Sequence, residues 1–122
     1  MERVEPTRLK LSQSGCGGAH PRSRRAPVIS VMGRTLIVEG LRRRCNQALG
    51  AWCKLGDGVL KVMIRPVDMN PRMAARCSCL YTVHVTIPAG SYERVAVLSR
   101  SSNYGLDGES PIERVGIARR RP

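Results

Sequence analysis

The sequence of 122 residues contains no phenylalanine, one tryptophan and three tyrosines. Its apolar fraction of 42% therefore rests on aliphatic residues, with β-branched ones in short alternating runs that favour strands over helices. We expect Trp52 and Tyr81 in the core, which leaves few rings for stacking on nucleic-acid bases. Any contact with nucleic acid is then expected to be mainly electrostatic, and hence sensitive to salt.

Acidic residues are also scarce, with nine Asp and Glu in the chain. They are dispersed, and no periodicity brings two of them together. The sequence contains no Gly-x-Ser-x-Gly, no P-loop and no Gly-x-Gly-x-x-Gly after a strand. His84 alternates with Ser78, Thr82 and Thr86 on a face that we expect to be solvated. These observations predict a protein that is not an enzyme and that needs no cofactor.

Long hydrophobic runs are missing. The first 15 residues have no apolar stretch typical of a signal peptide, and no run approaches the roughly 18 apolar residues that a membrane span needs. The chain as written is therefore expected to be soluble and without a transmembrane segment, and cytoplasmic if nothing precedes it. An export signal removed from the N-terminus would change that expectation.

Basic residues dominate the charge, with 21 Lys and Arg giving a formal net charge of +12. Such an excess favours binding to polyanions, and guanidinium groups suit phosphates. The alternative is a solvated basic face with no partner. The candidate polyanion-binding residues lie in the loop 14–27, in the run LRRRC and near the C-terminus: Arg22, Arg24, Arg25, Arg42, Arg43, Arg44, Arg119, Arg120 and Arg121.

Several short segments alternate in the manner of strands. They are 8–12, 28–32, 35–41, 59–65, 77–87 and 92–99. Gly33 and Arg34 predict a type II′ hairpin turn, and GDG at 56–58 is a further turn signal. The segment 41–56 has helical spacing, but three consecutive Arg oppose the helix dipole at its start. We therefore prefer two strand segments there, with a bend near Gly50.

The segment ARCSCLYTVHVTI (75–87) is expected to be the longest strand. Its odd-numbered residues from 77 to 87 share one face, which we place in the core. PAGS at 88–91 then predicts a hairpin over 77–99. The whole pattern predicts an all-β fold, a small β-sandwich of about seven short antiparallel strands. We divide the chain into one domain at 1–99 and a polar, basic tail at 100–122, with a possible edge strand at 112–117.

Five cysteines allow three interpretations. In an oxidising compartment, Cys77 and Cys79 would bond to partners on another strand, because about 6.6 Å of strand rise separates them from each other. The disulfide candidates are Cys45, Cys53, Cys77 and Cys79. A zinc site using Cys16 and His20 is a weaker alternative. Inert buried thiols in a reducing cell are the third interpretation. An unpaired Cys16 would also permit a covalent dimer, although the oligomeric state is not predicted.

The run CSCLYTVHVTIPAGSYERVAVL, preceded by TLIVEGLRRRC and GVLKVMIRP, resembles small exported or lipid-anchored bacterial β-domains of uncharacterised function. The resemblance covers about residues 35–98 and lies in a CxCxY strand, a turn with Gly and a Y-x-V strand. It implies an envelope-associated or exported location and no catalytic residue.

Together these features predict a non-enzymatic structural or binding module that is exported and stabilised by buried cysteines. The alternative is a basic intracellular accessory protein that binds RNA, DNA or a ribonucleoprotein through its Arg-rich loops. A small zinc-binding protein is a weaker alternative.

Overall fold

The computed structural model describes residues 6–14, 26–44, 47–67, 78–100 and 112–120. Within these ranges the chain is all-β, and no helix long and apolar enough to cross a membrane occurs in them. The eight strands are β1 Thr7–Gln13, β2 Val28–Met32, β3 Thr35–Arg44, β4 Leu49–Gly56, β5 Val59–Pro66, β6 Ser78–Thr86, β7 Arg94–Ser99 and β8 Glu113–Arg119.

The strands form one sheet in the order β2-β3-β6-β1-β4-β5-β7-β8. All neighbours pair antiparallel except β5 and β7, which are parallel. The two end strands, β2 and β8, also contact each other, so the sheet is nearly closed and barrel-like. A Cβ atom at Gly116 would lie 2.7 Å from Cδ1 of Ile29, which shows how closely β8 approaches β2.

Alternation along β6 and the residue after it separates the interior of the barrel from its outer face. Five odd-numbered residues are buried, whereas His84 and Thr86 between them are exposed. The buried residues are Cys79, Tyr81, Val83, Val85 and Ile87. The prediction that the odd-numbered face enters the core is therefore confirmed from residue 79 onwards, and Cys77 lies outside the described residues.

Two tight turns set the register of the hairpins. Gly33 has φ of 59° and joins β2 to β3, in agreement with the type II′ turn that the sequence predicts. Asp57 and Gly58 have φ of 53° and 74°, the two positive values of a type I′ turn. In β3, Gly40 has φ of 80° at a bulge opposite β6. The bulge shifts the alternation by one residue. Leu36 and Val38 are buried before it, and Leu41 and Arg43 are buried after it.

The all-β prediction is confirmed, but the arrangement differs from a seven-stranded sandwich. One continuous sheet curves until its ends meet, and eight strands take part. The segment 41–56 is not helical, as predicted, although the break lies before Leu49 and not at Gly50. A strand at Glu113–Arg119 covers most of the predicted edge strand at 112–117 and lies at one end of the sheet.

The predicted hairpin over 77–99 is wrong. β6 pairs with β3 on one side and β1 on the other, whereas β7 pairs with β5 and β8. The chain does reverse its direction after β6, as the turn sequence predicts. A turn signal, however, does not specify which edge of the sheet the next strand joins. β7 joins the edge offered by β5, because both edges of β6 are already occupied.

Arg43 crosses the interior of the barrel near one end. It is 7% exposed, and its Nη2 donates to Oγ of Ser99 and lies 3.9 Å from Oε2 of Glu113. Ser99 in turn donates to the carbonyl of Ile64 over 2.7 Å. Burial lowers the pKa of Arg43, and the Glu113 carboxylate opposes that shift. This chain of contacts ties β3 to β5, β7 and β8 across the interior.

We predict that Ser99→Ala destabilises the fold by about 1–3 kcal/mol, because it removes one acceptor of the buried Arg43 guanidinium, whose Nη1 donates to the carbonyl of Arg42. Ser30→Ala is the matched control, since Ser30 is exposed on β2 and its loss is expected to change stability by at most about 0.5 kcal/mol. Urea unfolding of both variants measures the difference. Equal stability of the two variants would contradict the role given to Ser99.

Candidate functional site

A row of side chains crosses the outer face of the barrel. The register pairs Arg8 with Trp52, Trp52 with Met63, Met63 with Leu98, and Leu98 with Arg114. Because directly paired residues share one face, these five side chains lie on the same side of the sheet. Trp52 is therefore on the outer face and only partly buried. The expectation that it belongs to the core is wrong.

Gly50 determines where the indole of Trp52 lies. A Cβ atom at Gly50 would be 2.9 Å from Cη2 of Trp52 and 2.6 Å from Cγ1 of Val67. Contacts that short are not tolerated, so only glycine leaves room for the ring to lie along its own strand. Gly50 is thus needed for the position of the indole, and this accounts for a glycine in the middle of the sequence Leu49-Gly50-Ala51.

Two arginines flank the indole. Cζ of Arg65 lies 4.3 Å from the ring centroid and Cζ of Arg8 lies 5.4 Å from it. Both distances are within the range of a cation–π interaction. Arg65 pairs with Gly50 and Arg8 pairs with Trp52, so neighbouring strands on both sides of β4 place the two guanidinium groups. One partly exposed aromatic ring therefore has two cations within cation–π range.

A groove of about 580 Å³ lies beside this ring. Its apolar surface comes from Trp52, Met63 and Leu98, and its cationic side chains include Lys54 and Lys61. Pro6 closes the end of the groove nearest the start of β1. We refer to the groove and the two arginines beside Trp52 as the Trp52 face. It combines an apolar floor with a positively charged rim.

Lys54 and Lys61 are directly opposite each other on β4 and β5. Like charges in this position are destabilising unless an anion neutralises them. The four neighbouring strands β1, β4, β5 and β7 contain no Asp or Glu, and their six basic residues are Arg8, Lys10, Lys54, Lys61, Arg65 and Arg94. The carboxylates described next to these strands are those of Asp57, in the turn between β4 and β5, and Glu93, just before β7, and the structure describes no ion pair between either of them and a lysine of the groove.

The predicted polyanion-binding arginines are not brought together here. Arg42 and Arg119 are exposed on β3 and β8 and do not line the groove. Arg43 is inside the barrel, which is at odds with a role in surface binding. Arg120 donates to the carbonyl of Gly90 over 2.7 Å and lies 4.5 Å from the ring centroid of Tyr92. Arg44 ends β3, and Arg22, Arg24, Arg25 and Arg121 lie outside the described residues.

Cys53 has a free, buried thiol, so its predicted cross-link is wrong. Burial also raises the pKa of this thiol. Cys79 is buried on β6. Its candidate partners Cys45 and Cys77 lie outside the described residues, so the pairing stays a prediction.

No cluster of metal-ligating side chains occurs among the described residues. The zinc candidates Cys16 and His20 lie outside the described ranges, so the structure does not test them. His84 is exposed on the outer face of β6, where the sequence places it.

The residues of the Trp52 face had a signal in the sequence. Ala51 and Cys53 alternate with Trp52, so placing Cys53 in the core already requires Trp52 to point outwards. The pairing of Lys54 with Lys61 also follows from the Asp57-Gly58 turn, which sets the register of β4 and β5. The approach of Arg8 has no such signal, because β1 and β4 are neighbours in the sheet but are distant in sequence.

No family model, no curated protein and no solved structure matches this chain. The resemblance to exported β-domains therefore stays a prediction, and the geometry of the Trp52 face is the basis for a function.

We predict that Cys53 reacts slowly with iodoacetamide in the native protein near neutral pH, because the thiol is buried and its raised pKa lowers the thiolate fraction. In urea without reductant, Cys53 should be labelled rapidly, whereas Cys79 should be labelled only after reduction. Peptide mass mapping distinguishes the two residues. Rapid labelling of Cys53 in the native protein would contradict the burial of its thiol. Labelling of Cys79 without reductant would contradict its predicted disulfide.

Proposed function

We propose that the protein is a non-enzymatic binding module that takes a polyanionic partner on its Trp52 face. The observation that carries the proposal is the cross-strand pair of Lys54 and Lys61, set in strands that contain no carboxylate. A bound anion would remove the repulsion between the two ammonium groups. The arginines on either side of Trp52 extend the positive charge beyond the lysine pair.

The charge of the whole chain supports this proposal. A net charge of +12 attracts polyanions from a distance and raises their rate of association, whereas the four cations around the groove supply the local contacts. Among the other described basic residues, Arg94 and Arg119 form a second directly opposite pair, on β7 and β8 and outside the groove. Others have contacts within the fold. Arg43 and Arg120, for example, are engaged within the fold.

We also propose an exported or envelope-associated location, as the resemblance implies. The predicted disulfide at Cys79 would agree with this location, since structural disulfides persist mainly in oxidising compartments. An anionic envelope polymer and a nucleic acid are then both candidate partners by charge alone. An intracellular accessory protein that binds nucleic acid would use the same face.

The direct test is a salt titration of binding to a fluorescent single-stranded oligonucleotide and to heparin. We expect both to bind at low salt and the affinity for the oligonucleotide to fall with a log–log slope of about −3, because four cations each contribute about −0.7. Fluorescence anisotropy measures the binding. Absence of binding to either probe at about 20 mM salt would refute the proposed function, since release of counterions is most favourable there.

We predict opposite effects of Lys54→Glu on stability and on binding. The variant replaces a repulsive pair with an attractive one, so thermal unfolding should show a gain of about 0.2–1 kcal/mol. Affinity for both probes should fall, because a cation of the groove becomes an anion. Lys10→Glu is the control, since Lys10 is opposite Thr86 and outside the groove. It should not gain stability and should lose less affinity. Equal losses of affinity in the two variants would contradict a localised site.

A further inference from the structure

We infer that the Trp52 face recognises single-stranded nucleic acid, with one base stacked on the Trp52–Arg65 pair and the neighbouring phosphates on the lysines. This inference rests on the proposed function and names the class of polyanion. The single strand is distinguished from other polyanions by a partly exposed aromatic ring at the centre of the cationic groove. Charge alone does not require that ring.

The groove has the parts that base stacking needs. Single-stranded nucleic acids bind where aromatic side chains or guanidinium planes stack on bases and cations follow the backbone. Arg65 over the indole already forms such a stack, at 4.3 Å from the ring centroid. A base packs on the exposed part of the indole, beside Arg65, and so extends this stack. The volume of about 580 Å³ is within the range of sites for small ligands, so a nucleobase fits.

The position of Trp52 on the outer face also makes its indole accessible to a ligand. The interior rows of the same strands are aliphatic and closely packed, whereas Trp52 lies outside them on a glycine that gives it room. Met63 and Leu98 continue the apolar floor along the same row of side chains. Burial of this floor under a base adds to the stacking interaction.

Other polyanions fit the same charges less completely. The bases of a duplex are hidden within their own stack, so a duplex presents phosphates but no free base face. A sulfated glycan presents anionic groups without a planar aromatic surface. Both would engage the lysines and arginines and leave the indole without a stacking partner. The response of Trp52 therefore discriminates between the partners.

The first experiment uses the emission of Trp52, which is the only tryptophan of the chain. The full-length protein is titrated with oligo(dT), with an abasic oligomer of the same length, and with heparin, each at low salt. Stacking brings a base into contact with the indole, so oligo(dT) should quench the emission at saturation, whereas the abasic oligomer and heparin should bind without comparable quenching. Equal quenching by all three polyanions, or none by oligo(dT) at saturation, would overturn the inference.

The second experiment uses variants of the ring. Trp52→Leu should weaken binding of oligo(dT) about tenfold or more and leave the affinity for heparin within about twofold, because only the first partner stacks. Trp52→Phe should recover part of the loss. Met32→Leu is the control, since Met32 is exposed on β2 and does not line the groove. Circular dichroism checks that each variant is folded. If Trp52→Leu does not fold, the emission titrations of the unmodified protein test the inference on their own.

The outcomes distinguish failure of the stacking inference from failure of the proposed polyanion-binding function. Loss of affinity for heparin and oligo(dT) to the same extent in Trp52→Leu would overturn the stacking inference and leave the polyanion-binding function in place. Failure of the unmodified protein to bind any of the three polyanions would refute the proposed function itself. A selective loss for oligo(dT), together with selective quenching, supports both.

Discussion

Burial of aliphatic side chains inside a single curved sheet is the constraint on which the rest of the structure depends. Each Val, Leu or Ile that is fully removed from water contributes about 1.5–3 kcal/mol, and the chain has no phenylalanine to supply larger units. A narrow barrel suits such residues, because opposing walls lie close enough for small side chains to meet. Most strand positions therefore alternate between the interior and the outer face, and the outward positions do not contribute to the core.

The same constraint separates two uses of positive charge. Arg43 points inward, loses its contact with water and is compensated by Ser99 and Glu113. The lysines of β4 and β5 point outward, stay hydrated and repel each other. A buried cation of the first kind stabilises one arrangement of strands only if its partners remain in place. Substitution of the outward lysines leaves the fold intact. These lysines are therefore available for binding.

The alternation of the strands, their approximate bounds and the two tight turns follow from the sequence, because each depends on neighbouring residues. The order of the strands does not. β7 joins β5 and not β6, since the choice of edge depends on which strands are already paired. The position of Trp52 was available from its alternation with Cys53, but a large apolar residue was expected to be buried. The contact of Arg8 with Trp52 depends on the pairing of β1 with β4, which are distant in sequence, and so it has no local signal.

The parallel pairing of β5 with β7 has a consequence for how the chain reaches its native state. Between these two neighbours the chain runs to the other side of the sheet, where β6 inserts between β3 and β1. Contacts between residues so distant in sequence form slowly, since the entropy of closing long loops must be overcome first. Until β7 arrives, β5 has an unprotected edge with free amide and carbonyl groups. Self-association during refolding is therefore expected to begin at that strand, and a nascent chain that lacks its last strands would be vulnerable at the same place.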